Sequence, residues 1–375
     1  MLRQTPRVHF YRSFKEKSIL HPGRRWVYHK AFGGILLFAF GGSYVSYRAA
    51  GWSESNDGHI CGPSTRQLME LVPFSFLSTV FASIAATPVI PEWGHQTLIE
   101  WYSWWYGVNL TEISEAAGVK AYATLDEFFV RTLRDGVRPI APVRNNAVLV
   151  SPVDGLVLTH DEAASAASEN SNRVVQVKGS EYTLKNLFRI PQVEFTPPNR
   201  TRKHVAFILR AQDYHHVHTP CGMRVEEMAY VPGAMLPLSL RGFRWLANIF
   251  CTNERVCIRA LPSEAWWNTS TSNGSASYVW MALVGGTLRG KIEARFDGRL
   301  KTNLPVAPEY AIRWHYETSD SSKKFARGDD IARFRWGSAV VLVADVPKEN
   351  GNHFSWLVKP GDVVKVGQPI MELRR

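Results

Sequence analysis

Beyond Pro139 the chain breaks into short runs of β-branched, aromatic and aliphatic residues, and this texture constrains its fold more than any other feature. AVLVSP, RVVQVKG, KHVAFILR, ERVCIRA, YVWMALVGG, GSAVVLVADV and FSWLVKPGDVVKVGQPIMEL are separated by clusters of Gly, Pro, Asn and Asp. Branched and aromatic side chains fit a pleated ladder, and the turn residues stop each run before a helical period develops. Residues 136–375 are therefore expected to form a β-rich domain, interrupted at 262–276 (PSEAWWNTSTSNGSA) by a polar, low-complexity loop. At 45% hydrophobic, the chain carries enough apolar surface for a substantial core.

The N-terminal third reads differently. Across residues 1–30, Arg3, Arg7, Arg12, Lys15, Lys17, Arg24, Arg25 and Lys30 stand against Glu16 alone, the pattern of a mitochondrial targeting segment. A secretory signal anchor is the rival, because it shares the basic flank and apolar segment. Residues 31–48 are expected to form a transmembrane helix: Ala31 to Tyr47 carry no charge, although four glycines weaken the helix. The basic end would then stay in the matrix and the remainder face the intermembrane space. Residues 49–70 read as a linker and 71–135 as a membrane-associated helical region. There, apolar Leu71 to Ala86 precedes Trp101, Tyr102, Trp104, Trp105 and Tyr106, which suit a bilayer interface. A plain core helix is the alternative. Thr124 to Leu133 is expected to be helical, with Thr124 as N-cap and Glu127 at capping-box spacing.

The formal charge of +11 favours anionic partners. No zinc-finger spacing, RNP-type motif or long basic helix supports nucleic acid, which leaves a membrane carrying acidic lipid. Cys61, Cys221, Cys251 and Cys257 form no CxxC pair, so neither a disulfide framework nor a zinc site is expected.

Three stretches carry the candidate chemistry. Ser151-Pro152-Val153-Asp154-Gly155 follows an apolar run, and by itself an Asp-Gly there is a turn. Asp213-Tyr214-His215-His216-Val217-His218 invites a metal reading. In an extended segment, however, His216 and His218 share a face while His215 points the other way, and no second ligand cluster completes a set. Trp336-Gly337-Ser338-Ala339 enters a strand-like run and lacks the GxSxG elbow of hydrolases. Together the three supply acid, base and serine hydroxyl. A serine after glycine can add its hydroxyl to the Gly337 carbonyl, unhindered by a Cβ. The resulting ester can eliminate to dehydroalanine, which hydrolyses to a pyruvoyl group and ammonia.

SPVDG, DYHHVHTP and RFRWGSAVVLV resemble the signature stretches of phosphatidylserine decarboxylases. The resemblance extends in order through YGVNL, LDEFFVRTLRDGVRPI, VKGSEYTLKNLF, GAMLPLSL, FCTNERVCI and GDVVKVGQPIMEL, from about Trp101 to the C-terminus. It implies an α+β protein with N-terminal transmembrane and membrane-docking helices, then a β-rich catalytic domain ending in a lipoyl-like hairpin. It implies self-cleavage between Gly337 and Ser338, with Asp154 and His218 as acid and base and Ser338 as the pyruvoyl precursor. His215 matches a residue of the decarboxylation step, and His216 occupies a variable position suited to surface or pocket packing. Phosphatidylserine in an anionic membrane would form a Schiff base with the pyruvoyl cofactor, lose CO₂ and leave as phosphatidylethanolamine, with no metal. Both self-cleavage fragments would stay associated, in the mitochondrial inner membrane, and a homodimer is compatible with the sequence. The chain departs from the family at Ala339, where Thr or Ser is usual, at Trp336, usually small or aliphatic, and near Ala234. The missing hydroxyl at residue 339 bears on the rate of processing. Two other readings remain: a lipoyl-type carrier, which lacks a modifiable lysine in its turn, and a serine hydrolase using Asp154, His218 and Ser338 in turnover.

Overall fold

The expected strand runs form strands in the computed structural model. It describes residues 92–374 apart from 115–117, 143–146, 161–172, 176–180, 195–199, 237, 239–247, 265–276, 287–289, 305–307 and 348–352. The expected targeting segment, transmembrane helix and linker, Leu71 to Ala86, and most of the 262–276 loop lie outside the described residues. Among the described residues no helix is long and apolar enough to cross a membrane.

The helices are α1 (Glu92–Tyr106), α2 (Leu125–Phe129), α3 (Leu184–Phe188) and α4 (Ile249–Thr252). Strands come first as β1 (Ala147–Val150), β2 (Gly155–His160), β3 (Arg173–Val175), β4 (Glu181–Thr183), β5 (Arg200–Leu209), β6 (His216–His218), β7 (Met223–Val231), β8 (Arg255–Pro262) and β9 (Val279–Gly285). They continue as β10 (Lys291–Ala294), β11 (Ile312–His315), β12 (Lys324–Phe325), β13 (Asp330–Arg335), β14 (Ser338–Pro347), β15 (His353–Trp356), β16 (Val363–Val364) and β17 (Pro369–Arg374).

A nine-stranded sheet in the order β11-β7-β8-β9-β14-β5-β2-β16, with β12 also on β7, is the body of the domain. Its central strand β14 is buried throughout, which explains the unbroken apolar run AVVLVA at 339–344. Side chains alternate along it. Val340, Leu342 and Ala344 join one core cluster with Val217 and Phe334 of a second, three-stranded sheet (β10-β13-β6). Ala339, Val341 and Val343 join another, with Leu187 and Phe188 of α3 and Phe250 of α4. The small sheet therefore packs β6, through Val217, on the face that Ser338 shares.

Two expected elements change. The helix beginning at Thr124 is capped as expected, Glu127 N–H donating to Thr124 Oγ1 at 3.2 Å, but it ends at Phe129 and not at Leu133. Tertiary contacts take over: the Val130 carbonyl meets His216 Nε2 at 3.1 Å, and Leu133 forms a bridge with Ile113. In the closing stretch β15 and β17 do pair antiparallel, but β16 between them leaves that hairpin. β16 pairs with β2, whereas β17 lies between β1 and β15 in a separate sheet. The turn joining β16 to β17 is held by the SPVDG segment instead. Gly367 N–H donates to the Ser151 carbonyl at 3.0 Å, and Val366 N–H to Asp154 Oδ1 at 2.8 Å.

α1 splits its aromatic residues. Ile99 and Tyr102 are buried in a third cluster with Phe128, Phe129 and Trp336, while Trp104 and Trp105 are 75% and 54% exposed. The Tyr102 hydroxyl donates to the Ala211 carbonyl at 2.6 Å, which fixes this helix beside the histidine segment.

Candidate active site

The turn between β13 and β14 holds the candidate cleavage bond. Trp336 (φ 69°) and Gly337 (φ 40°) both occupy the left-handed region. Glycine adopts it freely, whereas a tryptophan there costs about 1–2 kcal/mol. Contacts to α2 and α1 hold it. The indole stacks on Phe129 (centroids 4.3 Å apart, 21° between planes), meets Tyr102 edge-on at 6.0 Å, and donates to Asp126 Oδ1 at 3.1 Å. Arg335 pairs with the same carboxylate. The Gly337 carbonyl accepts from Gly286 N–H at 2.9 Å. Gly290 makes that approach feasible, because a Cβ there would lie 2.4 Å from Gly286 O and 2.7 Å from Gly286 N. The next residue, Ser338, is fully buried, and its Oγ has no hydrogen-bond partner. A buried hydroxyl left unpaired costs about 1–3 kcal/mol.

The histidines are held in defined tautomers. His215 Nδ1 lies 2.9 Å from the Asp213 carbonyl, and His218 Nδ1 lies 2.7 Å from the Gly328 carbonyl. A carbonyl only accepts, so each Nδ1 carries the proton and each Nε2 a lone pair. Both Nε2 atoms are buried without a partner. Burial, helped by the nearby Arg131 charge, pushes the His215 pKa down to about 3. Burial likewise lowers that of His218. His215 also packs on Phe129 at 4.0 Å, the ring that carries Trp336. His216 is no surface residue. It is buried and stacked on Tyr214, with Nδ1 on Asp330 at 2.7 Å and Nε2 on the Val130 carbonyl.

Asp154 is fully buried and heavily committed. It accepts from Arg138 Nε at 3.0 Å and Nη2 at 2.6 Å, from Lys365 Nζ at 3.2 Å and from Val366 N–H. Burial alone would raise its pKa, but the Arg138 hydrogen bonds and charge, with Lys365 and Val366, hold it below the usual carboxylate range. The fold brings the Asp154 segment to His218 through the backbone, His218 N–H donating to the Pro152 carbonyl at 2.8 Å. The side chains share no hydrogen bond, because Arg138, Lys365 and Val366 occupy the carboxylate and Gly328 occupies His218 Nδ1.

All four candidate residues and the scissile pair fall inside one match. The sequence profile described as phosphatidylserine decarboxylase covers residues 125–372, about two-thirds of the chain. The chain belongs to the phosphatidylserine decarboxylase family. Similar curated proteins include a phosphatidylserine decarboxylase proenzyme from Anaeromyxobacter sp., 32% identical over 71% of this chain and 83% of its own. One from Marinobacter nauticus is 31% identical over 66% and 77%. A mitochondrial proenzyme from Rattus norvegicus is 25% identical over 90% and 84%.

Within this decarboxylase family the two departures at the cleavage turn acquire locations. Ala339 faces away from Ser338 and sits among Ala206, Ile208 and Val284, where a methyl suits its apolar neighbours. Trp336 is the clamp described above. Gly286, Asp126, Arg138 and Gly328 also shape the site, although none is a candidate from the sequence. Only the paired glycines closing YVWMALVGG offered a local signal, that of backbone approaching closely at a strand end. Among the described residues no group of three or more His, Cys, Asp or Glu side chains is arranged to hold a metal ion.

Proposed function

We propose that this chain decarboxylates phosphatidylserine to phosphatidylethanolamine after cutting itself between Gly337 and Ser338 and converting Ser338 to a pyruvoyl group. The observation that carries this reading is the junction itself. An unpaired buried hydroxyl follows a strained turn whose carbonyl already accepts a backbone N–H. That N–H, from Gly286, stabilises the oxyanion formed when Ser338 Oγ adds to the Gly337 carbonyl carbon. His218 takes the hydroxyl proton on Nε2, and the Gly328 carbonyl keeps that nitrogen free for it. Asp154 favours the resulting imidazolium through its charge rather than a shared hydrogen bond.

The residues suit the cofactor, since Ser338 lies at the start of a strand laddered on both sides and would remain fixed there after cutting. A pyruvoyl group supplies an electrophilic ketone for the substrate amine and an electron sink for the bond to CO₂. His215 is neutral near pH 7, so Nε2 can take up a proton that the substrate ammonium gives up and later return it to the substrate carbon. Exposed Trp104 and Trp105 support docking of α1 on a bilayer. The basic leader and the mitochondrial relatives support the inner membrane, with the catalytic domain in the intermembrane space.

Intact mass under denaturing conditions tests the reading. Two fragments are expected, the smaller beginning with a blocked pyruvoyl residue, together with CO₂ release from phosphatidylserine vesicles. Ser338→Ala should give one full-length species without activity; continued cutting there would sink the proposal. A turnover serine hydrolase would instead appear as one uncut chain.

A further inference from the structure

A cavity of about 90 Å³ opens beside the histidine segment, lined in part by Arg131, Arg138, Arg210, Asp213, Tyr214 and Lys365. Three of its cations have carboxylate partners: Arg138 with Asp154 and Glu112, Arg210 with Asp213, and Lys365 with Asp154. Arg131 does not pair this way. It is 3% exposed, lies over the Phe128 ring, and donates through Nη2 to the Gln212 and Asp213 carbonyls at 2.8 and 3.1 Å. Its Nη1 is buried with no hydrogen-bond partner. A guanidinium stays charged, and a buried charge with an unmet donor is costly unless an anion arrives to meet it.

We propose that this cavity binds the phosphodiester of the substrate headgroup, with Arg131 as its counter-ion, an inference that rests on the decarboxylase reading above. The carbonyl of Asp213 receives both Arg131 Nη2 and His215 Nδ1, so the cation stands one acceptor away from the proton-handling ring. The headgroup offers two anions. Its carboxylate must leave as CO₂, and a buried guanidinium on it would stabilise the ground state against that loss. The phosphodiester keeps its charge throughout and matches the planar donor fork of arginine. Binding it anchors the headgroup beside the His215 segment without opposing the chemistry.

The probe is dihexanoyl phosphatidylglycerol, which has the phosphodiester but neither amine nor carboxylate, bound to the native full-length enzyme and followed by calorimetry. Arg131→Gln is expected to weaken it about tenfold or more, and Arg131→Lys by less, as for loss of a charge-assisted hydrogen bond. KM for short-chain phosphatidylserine should rise in parallel while kcat holds. Equal binding by wild type and Arg131→Gln overturns the proposal. If Arg131→Gln does not fold, Arg210→Gln at the rim carries the test: weaker binding supports the site and unchanged binding overturns it. Displacement of the lipid by inorganic phosphate at equal concentration would assign the pocket to free phosphate and overturn the lipid assignment. Arg131-dependent binding without CO₂ release would keep the pocket and remove the decarboxylase reading; CO₂ release with Arg131-independent binding would do the reverse.

Discussion

The two ends of β14 solve the same problem in opposite ways. Near its C-terminal end the buried Asp345 is met by Arg202 at 2.6 and 3.3 Å and by the Trp280 indole N–H at 3.4 Å. At its N-terminal end the equally buried Ser338 hydroxyl meets nothing, and the two residues before it hold positive φ. Both ends lie in one sheet along β5, with β9 beside Ser338 to Ala344 and Tyr278 meeting Asp345. Strain and unpaired polarity persist only where the surroundings enforce them. Here Asp126, Phe129 and Tyr102 enforce them on Trp336. One end satisfies its buried polar group, and the other leaves its own unpaired.

Substitutions can break this contrast. The largest effect is expected at the reactive end. His215→Asn should still cut but lose CO₂ release by about 10²–10⁴-fold, the usual weight of a proton-transfer group, whereas His218→Asn should block cutting. Loss of cleavage in the His215 variant, seen as a single band, would exchange the two roles. At the stable end, Asp345→Ala in an uncut Ser338→Ala background should lower the unfolding free energy by about 3–5 kcal/mol, because it removes the carboxylate of a buried ion pair. A cost under about 1 kcal/mol in urea titrations would mean that the two ends do not differ as described.

Acid sharpens the comparison further. His215 and His218 titrate lower in the folded chain than in the unfolded one, so the folded state binds fewer protons in the acid range. Stability should fall as pH drops below about 6.5, by about 1.4 kcal/mol per unit for each histidine, and for His215 the loss should continue toward pH 3. His215→Asn should flatten that slope, and an unchanged slope would place the protons elsewhere. The smallest effect is expected from Trp336→Phe. It keeps the stack on Phe129 and removes one donor from Asp126, costing about 1 kcal/mol in melting experiments while cleavage persists.

Much of this was legible in the residues. Strand texture after Pro139, the Thr124 cap, and Gly337–Ser338 with its collinear acid and histidines all depend on local chemistry. Where the reading stopped short, distant groups had intervened. The helix from Thr124 ends early because Val130 and Leu133 find partners in His216 and Ile113. The closing stretch parts into two sheets because Ser151 and Asp154 capture its turn. His216, expected at the surface or packed in a pocket, is buried and bridges Asp330 and Val130.

The sequence by itself determined the strand-rich domain and the serine whose hydroxyl adjoins a glycine carbonyl. Propensity and covalent adjacency act over a few residues, so both can be read in order along the chain. Only the tertiary structure decided that Asp154 serves Arg138, Lys365 and Val366, and that Ser338 and Ala339 face different cores. It also decided that Trp336 is pinned by Asp126, 210 residues away. Hydrogen bonds over such separations form only where packing has brought the groups together. Packing also decides which buried group is left without a partner, and here that group is the Ser338 hydroxyl.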